Sequence, residues 1–126
     1  MPITEEEYAA FEKVVYENDF DKFKEMVTTL EDINIVNKYG WTLLHITIRR
    51  DRRDMVIFLL ANGADINKTD GVGWTPLMEA IMDEMTELVK LLVERDADKS
   101  IVNARGATAP MLAQKFGRTD MFEYLG

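Results

Sequence analysis

Asp65-Ile66-Asn67, followed by Gly73-Trp74-Thr75-Pro76-Leu77-Met78, is a stretch the chain writes more than once. Thirty-three positions earlier stand Asp32-Ile33-Asn34 and Gly40-Trp41-Thr42-Leu43-Leu44-His45. Thirty-three positions later stand Asp98, Gly106, Thr108 and Met111-Leu112-Ala113. Outside this stretch the register holds as well. Val56, Phe58, Leu59 and Leu60 recur as Val89, Leu91, Leu92 and Val93, and Thr47-Ile48 answers to Ala80-Ile81. A fixed, gapless period of this length marks a repeat protein, in which each unit is one supersecondary element that buries its apolar face only against a neighbour.

Thr75-Pro76-Leu77-Met78-Glu79-Ala80, with Leu43-Leu44-His45 before it, resembles the ankyrin repeat. So does Leu59-Leu60-Ala61-Asn62-Gly63-Ala64-Asp65-Ile66-Asn67, at that family's spacing. The resemblance covers residues 37–126 closely and 4–36 more loosely. It implies an all-α solenoid of about four stacked helix-turn-helix units with short projecting turns, and a role in binding another protein. The expected organisation is one domain over 1–126. It comprises a diverged N-terminal capping repeat (4–36), two full repeats (37–69 and 70–102) and a truncated C-terminal capping repeat (103–126).

The residues read locally in the same sense. Thr4-Glu5-Glu6-Glu7 is a capping box, and Tyr8, Phe11, Val14 and Val15 lie at helical spacing behind it, predicting a helix over 5–17. Phe20, Phe23, Met26, Val27 and Leu30 predict a second over 20–29. Thr42, Thr75 and Thr108 are N-cap residues and Pro76 suits a first helical turn. Inner helices are expected near 42–50, 75–83 and 108–116, and outer ones near 53–61, 86–94 and 118–125. Pro110 and Gln114 stand where leucine and isoleucine stand in the other copies, so the last unit should be less buried. Met1 and the immediate capping box suggest a complete chain.

Composition narrows the function classes. At 47% apolar and 30% charged, the 126 residues suit a packed domain. No apolar run approaches the roughly 20 residues of a membrane span. There is no cysteine, which removes disulfides, thiolate nucleophiles and cysteine zinc sites and fits a cytoplasmic setting. The net charge of −8 disfavours nucleic acid and anionic membranes as partners. That charge is uneven: residues 1–36 carry 10 acidic and 3 basic side chains, whereas residues 37–69 carry 3 and 6. The excess of cations sits in Arg49, Arg50, Arg52 and Arg53.

No catalytic constellation emerges. His45 is the single histidine and has no sequence partner for acid–base work; in the resembled motif its ring hydrogen-bonds turn backbone. Gly71-Val72-Gly73 lacks the lysine of a phosphate loop. The chain is expected not to be an enzyme and to need no cofactor or metal. Recognition is the better candidate, since partners of ankyrin repeats dock in the concave groove formed by turn tips and inner helices. Carried over by position, the resemblance selects Lys38, Tyr39, Trp41, Arg49 and Arg50, then Val72, Trp74, Met82 and Asp83, then Arg105 and Phe116. Ala107, Lys115 and Tyr16 extend the set. Aromatic residues and arginine are the types that dominate binding hot spots. Each also has a structural reading: Trp41 and Trp74 can pack on an adjoining turn, Arg49 to Arg53 can be a solvated helix end, and Met78 and Met85 read as core.

The expected function is therefore a non-enzymatic protein-binding module, monomeric when free. Its sharper form is a dedicated inhibitor, such as an immunity protein neutralising a toxin, whose acidic charge would speed capture of a partner with a basic surface. An adaptor or scaffold subunit is the rival within binding, and an enzyme or a structural spacer the rivals outside it.

Overall fold

The computed structural model describes residues 3–126; Met1 and Pro2 of the expected domain lie outside the described residues. It contains α1 (Glu5–Glu17), α2 (Phe20–Thr28), α3 (Leu43–Arg49), α4 (Arg53–Ala61), α5 (Pro76–Met82), α6 (Thr86–Glu94), α7 (Ala109–Lys115), a 3-10 turn (Thr119–Met121) and α8 (Phe122–Leu125). Among the described residues there is no strand, only an isolated antiparallel bridge between Val36 and Thr42. The all-α helical-repeat class is as the sequence implies. The chain forms two compact units, the first ending at Asp65 and the second running from Ile66 to Gly126.

Helix starts follow from local chemistry. The Thr4 hydroxyl accepts from the Glu7 amide at 3.1 Å and the Glu7 carboxylate accepts from the Thr4 amide at 3.4 Å, the expected capping box. Thr42, Thr75 and Thr108 are extended N-caps whose hydroxyls accept from His45, Met78 and Met111. Each inner helix therefore begins one residue after its threonine. The outer helices Arg53–Ala61 and Thr86–Glu94 fall where expected. The last does not form as one piece over 118–125. Only a 3-10 turn and one helical turn follow Arg118.

In the first unit α1 pairs with α2 and α3 with α4, and the hairpins layer inner helix on inner and outer on outer. Tyr8, Phe11, Val15, Phe23, Leu44 and Leu59 are buried there. Phe11 meets Phe23 edge-on at 6.4 Å and Phe20 meets Phe58 edge-on at 6.1 Å, the geometry that ring quadrupoles favour. The second unit repeats the plan: α5 packs on α6 and α7, and α6 on the 3-10 turn and α8. Leu77 and Ile81 are buried, whereas Pro110 is half-buried and Gln114 exposed, so the final hairpin is less covered, as its substitutions imply.

Each unit also uses one arginine as a clamp. Arg52 Nε donates to the Val15 carbonyl and Nη2 to the Tyr16 carbonyl, both at 2.8 Å, at the end of α1. Arg118 Nε and Nη2 reach the Ile81 and Met82 carbonyls at the end of α5, at 3.0 and 3.1 Å. Terminal carbonyls of a helix lack intrahelical partners, and a cation at a C-terminus also meets the negative end of the helix dipole. Arg52 is thus a bonded part of the stack rather than a solvated helix end.

Truncating Leu59 or Leu92 to alanine should cost about 2–5 kcal/mol by the usual scale for buried leucine, read as a loss in denaturant midpoint at constant m-value. Arg52→Met should cost about 1–3 kcal/mol, since it leaves two carbonyls without charged donors. Gly73 and Gly106 both sit at positive φ (+81° and +80°), but a Cβ on Gly73 would lie 3.0 Å from the Asn103 Cα, while one on Gly106 meets open space. Gly106→Ala should therefore cost only the left-handed penalty of about 1–2 kcal/mol, and Gly73→Ala measurably more in the same assay.

Candidate functional site

The candidate residues stand on two kinds of element: the projecting turns and the C-terminal ends of the inner helices. The turns share an organiser. Asn37 Oδ1 accepts from the Tyr39 and Trp41 amides at 2.9 and 3.0 Å. Asp70 Oδ1 does the same for Val72 and Trp74, both at 2.9 Å. Asn103 Oδ1 repeats it for Arg105 and Ala107, at 2.9 and 3.0 Å. A side chain that bonds the backbone two and four residues on fixes the tip without help from other elements. These three residues hold the turns that carry the candidate residues, and none of them is among those the resemblance selects. Their signal was an Asn or Asp three positions before Gly40, Gly73 and Gly106, at the same period as everything else.

In the first unit the turn is also tied to α1. The buried Tyr8 hydroxyl donates to the Trp41 carbonyl at 2.7 Å and lies 3.3 Å from that of Thr42. Burial pushes the Tyr8 phenol above its ordinary pKa; Glu12 adds to this and Arg49 opposes it. On this anchored turn the Tyr39 and Trp41 rings lie 5.2 Å apart, tilted by 40°. Each ring carries a cation: the Arg49 guanidinium is 4.0 Å from the Trp41 centroid and the Lys38 ammonium 5.2 Å from that of Tyr39. Arg50 lies 4.9 Å from the ring of Tyr16, which is 63% exposed. Four of the five expected residues of this unit, Lys38, Tyr39, Trp41 and Arg49, form one ladder, and Arg50 stands beside it on Tyr16. Two shallow hollows of about 220 and 210 Å³ flank Trp41, and Glu12 lines both.

In the second unit Val72, Trp74, Met82, Arg105 and Phe116 line one groove of about 740 Å³. The two turns that frame it are joined by the Ala104 amide, which donates to the Val72 carbonyl at 3.0 Å. Ala107 and Lys115 belong to the same lining. Asp83 does not; it is the half-buried C-cap of α5, outside the groove. Met111 lines the groove and is 52% exposed, a residue the sequence reading placed only in the helical apolar string. The equivalent positions His45 and Met78 are each 1% exposed.

His45 serves structure. Its ring is buried, and Nδ1 lies 3.1 Å from the Thr42 amide and 2.8 Å from the Thr42 hydroxyl, closing a capping box on α3. Among the described residues no group of three or more histidine, cysteine or carboxylate side chains is placed to hold a metal ion. No helix there is long and apolar enough to cross a membrane.

A family model described as ankyrin repeats in three copies matches residues 8–103 and 68–126, which together span 8–126. A search of curated proteins gives no match. Ankyrin repeats generally mediate protein–protein interaction, and the family is typically non-enzymatic. With helical hairpins, threonine-capped inner helices and side-chain-fixed turns all recurring at the period the family model matches, the chain belongs to the ankyrin-repeat family.

Proposed function

We propose that this protein is a non-enzymatic binding module that holds a partner protein against its turn tips and inner-helix ends. The observation that supports the reading best is the ladder of Lys38, Tyr39, Trp41 and Arg49. Hot spots are built from such residues because large planar side chains bury much area while few torsions are frozen. Here the torsions are restricted before any partner arrives. Asn37 and Tyr8 hold the backbone, and the cations are already stacked on the rings. Preorganisation of this kind lowers the entropy lost on association.

The chemistry of the ladder also bears on the partner. Its charged members, with Arg50 beside it, are all cations, so it is suited to an acidic contact surface. A basic partner, as in inhibition of a nuclease-like target, would instead meet exposed carboxylates such as Glu5, Glu6 and Glu7 of α1. We favour the general binding reading with an adaptor-type use of the ladder over dedicated inhibition, since the exposed aromatic surface lies among the cations.

Affinity capture from the native cell lysate tests the reading directly. The wild-type chain should recover a partner that a Tyr39→Ala, Trp41→Ala, Trp74→Ala variant recovers poorly, with a loss of about 2 kcal/mol or more at a true hot spot. The variant's helical circular dichroism should persist. Equal recovery of the same partner by both proteins would remove these turns from the interface.

A further inference from the structure

The groove of the second unit has a composition unlike the chain that carries it. The protein has 23 acidic and 15 basic side chains, yet among the described residues no carboxylate lines this groove, whose ionic groups are Arg105 and Lys115. Among the described residues no salt bridge engages either cation, and the Lys115 ammonium lies 5.6 Å from the Phe116 ring centroid. Between them the walls are apolar and wet: Val72 is 54% exposed, Met111 52% and Phe116 43%. Asn103 is committed internally, its Oδ1 already accepting two backbone amides.

We propose that this groove takes an acidic segment of a partner protein carrying an apolar anchor. A leucine or aromatic side chain enters between Val72, Trp74, Met82 and Met111, and flanking aspartates or glutamates meet Arg105 and Lys115. The inference rests on the protein-binding reading and adds the chemistry of what is bound. Two cations without a salt bridge, in the lining of an otherwise apolar groove, match a segment that carries carboxylates next to an apolar residue. The volume, about 740 Å³, falls in the range of roughly 300–1,000 Å³ in which sites bury a compact ligand group. A nucleic acid would satisfy the cations, but its phosphates would be repelled by a net charge of −8, and it would leave the apolar walls unmatched.

Selection of short random peptides against the immobilised full chain tests this, followed by fluorescence anisotropy of the enriched peptides in solution. Enriched sequences should carry aspartate or glutamate close to leucine, phenylalanine or tryptophan. Arg105→Glu with Lys115→Glu should weaken them by about tenfold or more, as should Val72→Glu, which spoils the apolar floor from an exposed position. Lys22→Glu with Lys90→Glu, the same charge change on exposed positions of α2 and α6 outside both candidate surfaces, should leave their affinity unchanged, and rising salt should weaken it. All of these positions are exposed, and thermal melting confirms that the variants fold. Enrichment of basic or uncharged peptides, acidic peptides that bind the double variant as well as wild type, or no enrichment would each overturn the inference. Such a result leaves the broader reading standing if lysate capture still depends on Tyr39, Trp41 and Trp74; loss of that dependence defeats the broader reading instead.

Discussion

Burial of one helical hairpin against the next is the interaction on which everything else depends. The inner helices α3, α5 and α7 are seven residues each, far below the roughly 12–15 at which an isolated helix becomes even marginal in water. They exist because tertiary contact holds them. Six consecutive residues of α3, Leu43 to Ile48, are buried, so nearly its whole circumference is packed. Polar groups inside such a stack cost free energy unless bonded, and several are bonded here: Thr47 donates to the Leu43 carbonyl, His45 closes the cap, and Arg52 and Arg118 donate to carbonyls at the ends of α1 and α5. The middle of the three positions at this register is Met85, so the clamp is not itself a strict repeat.

That packing positions the candidate sites without being part of them. Each turn leads into a short threonine-capped helix that fixes its base, and the Asn37, Asp70 and Asn103 side chains bond the backbone at its tip. The residues between, such as Tyr39 and Arg105, are then free of structural duty at their side chains. Core contacts fix where the backbone goes, while the exposed face can vary without disturbing them. This separation explains how one repeat carries an aromatic pair on its turn and another carries valine and tryptophan, on the same hydrogen-bond frame.

Most of the fold was legible because it is encoded periodically. Thr42, Thr75 and Thr108 announce three helix starts, each read one residue early, since a cap belongs to the helix only by half. The outer helices over 53–61 and 86–94 fall where they are expected, and the last does not, since Thr119–Met121 forms a 3-10 turn in place of its first helical turn. What stayed hidden depends on neighbours in space. Whether Arg52 is solvated or bonded is set by carbonyls 36 and 37 positions away. Whether Met111 is core or surface is set by what covers it, since its equivalents His45 and Met78 are buried and it is not. Asp83 was included because its equivalent Arg50 was, but a short carboxylate at a helix C-cap does not reach the groove. The turn organisers were visible, and were missed for attending to the glycines instead.

The whole-chain charge and the charge at the candidate sites point in opposite directions, and their ranges decide which governs what. Fields from the 23 carboxylates are screened over about 8–10 Å at physiological ionic strength, so they act on encounter more than on the bound state. Contact is governed by groups within a few ångströms: Arg49 on Trp41 in the first unit, Arg105 and Lys115 around an apolar floor in the second. In both, the cation lies beside apolar or aromatic surface, where water is readily displaced and an ion pair gains more than it would on an open face. A strongly acidic chain can therefore present cationic contact points, and those points, rather than the net charge, set the chemistry of the surface that fits them.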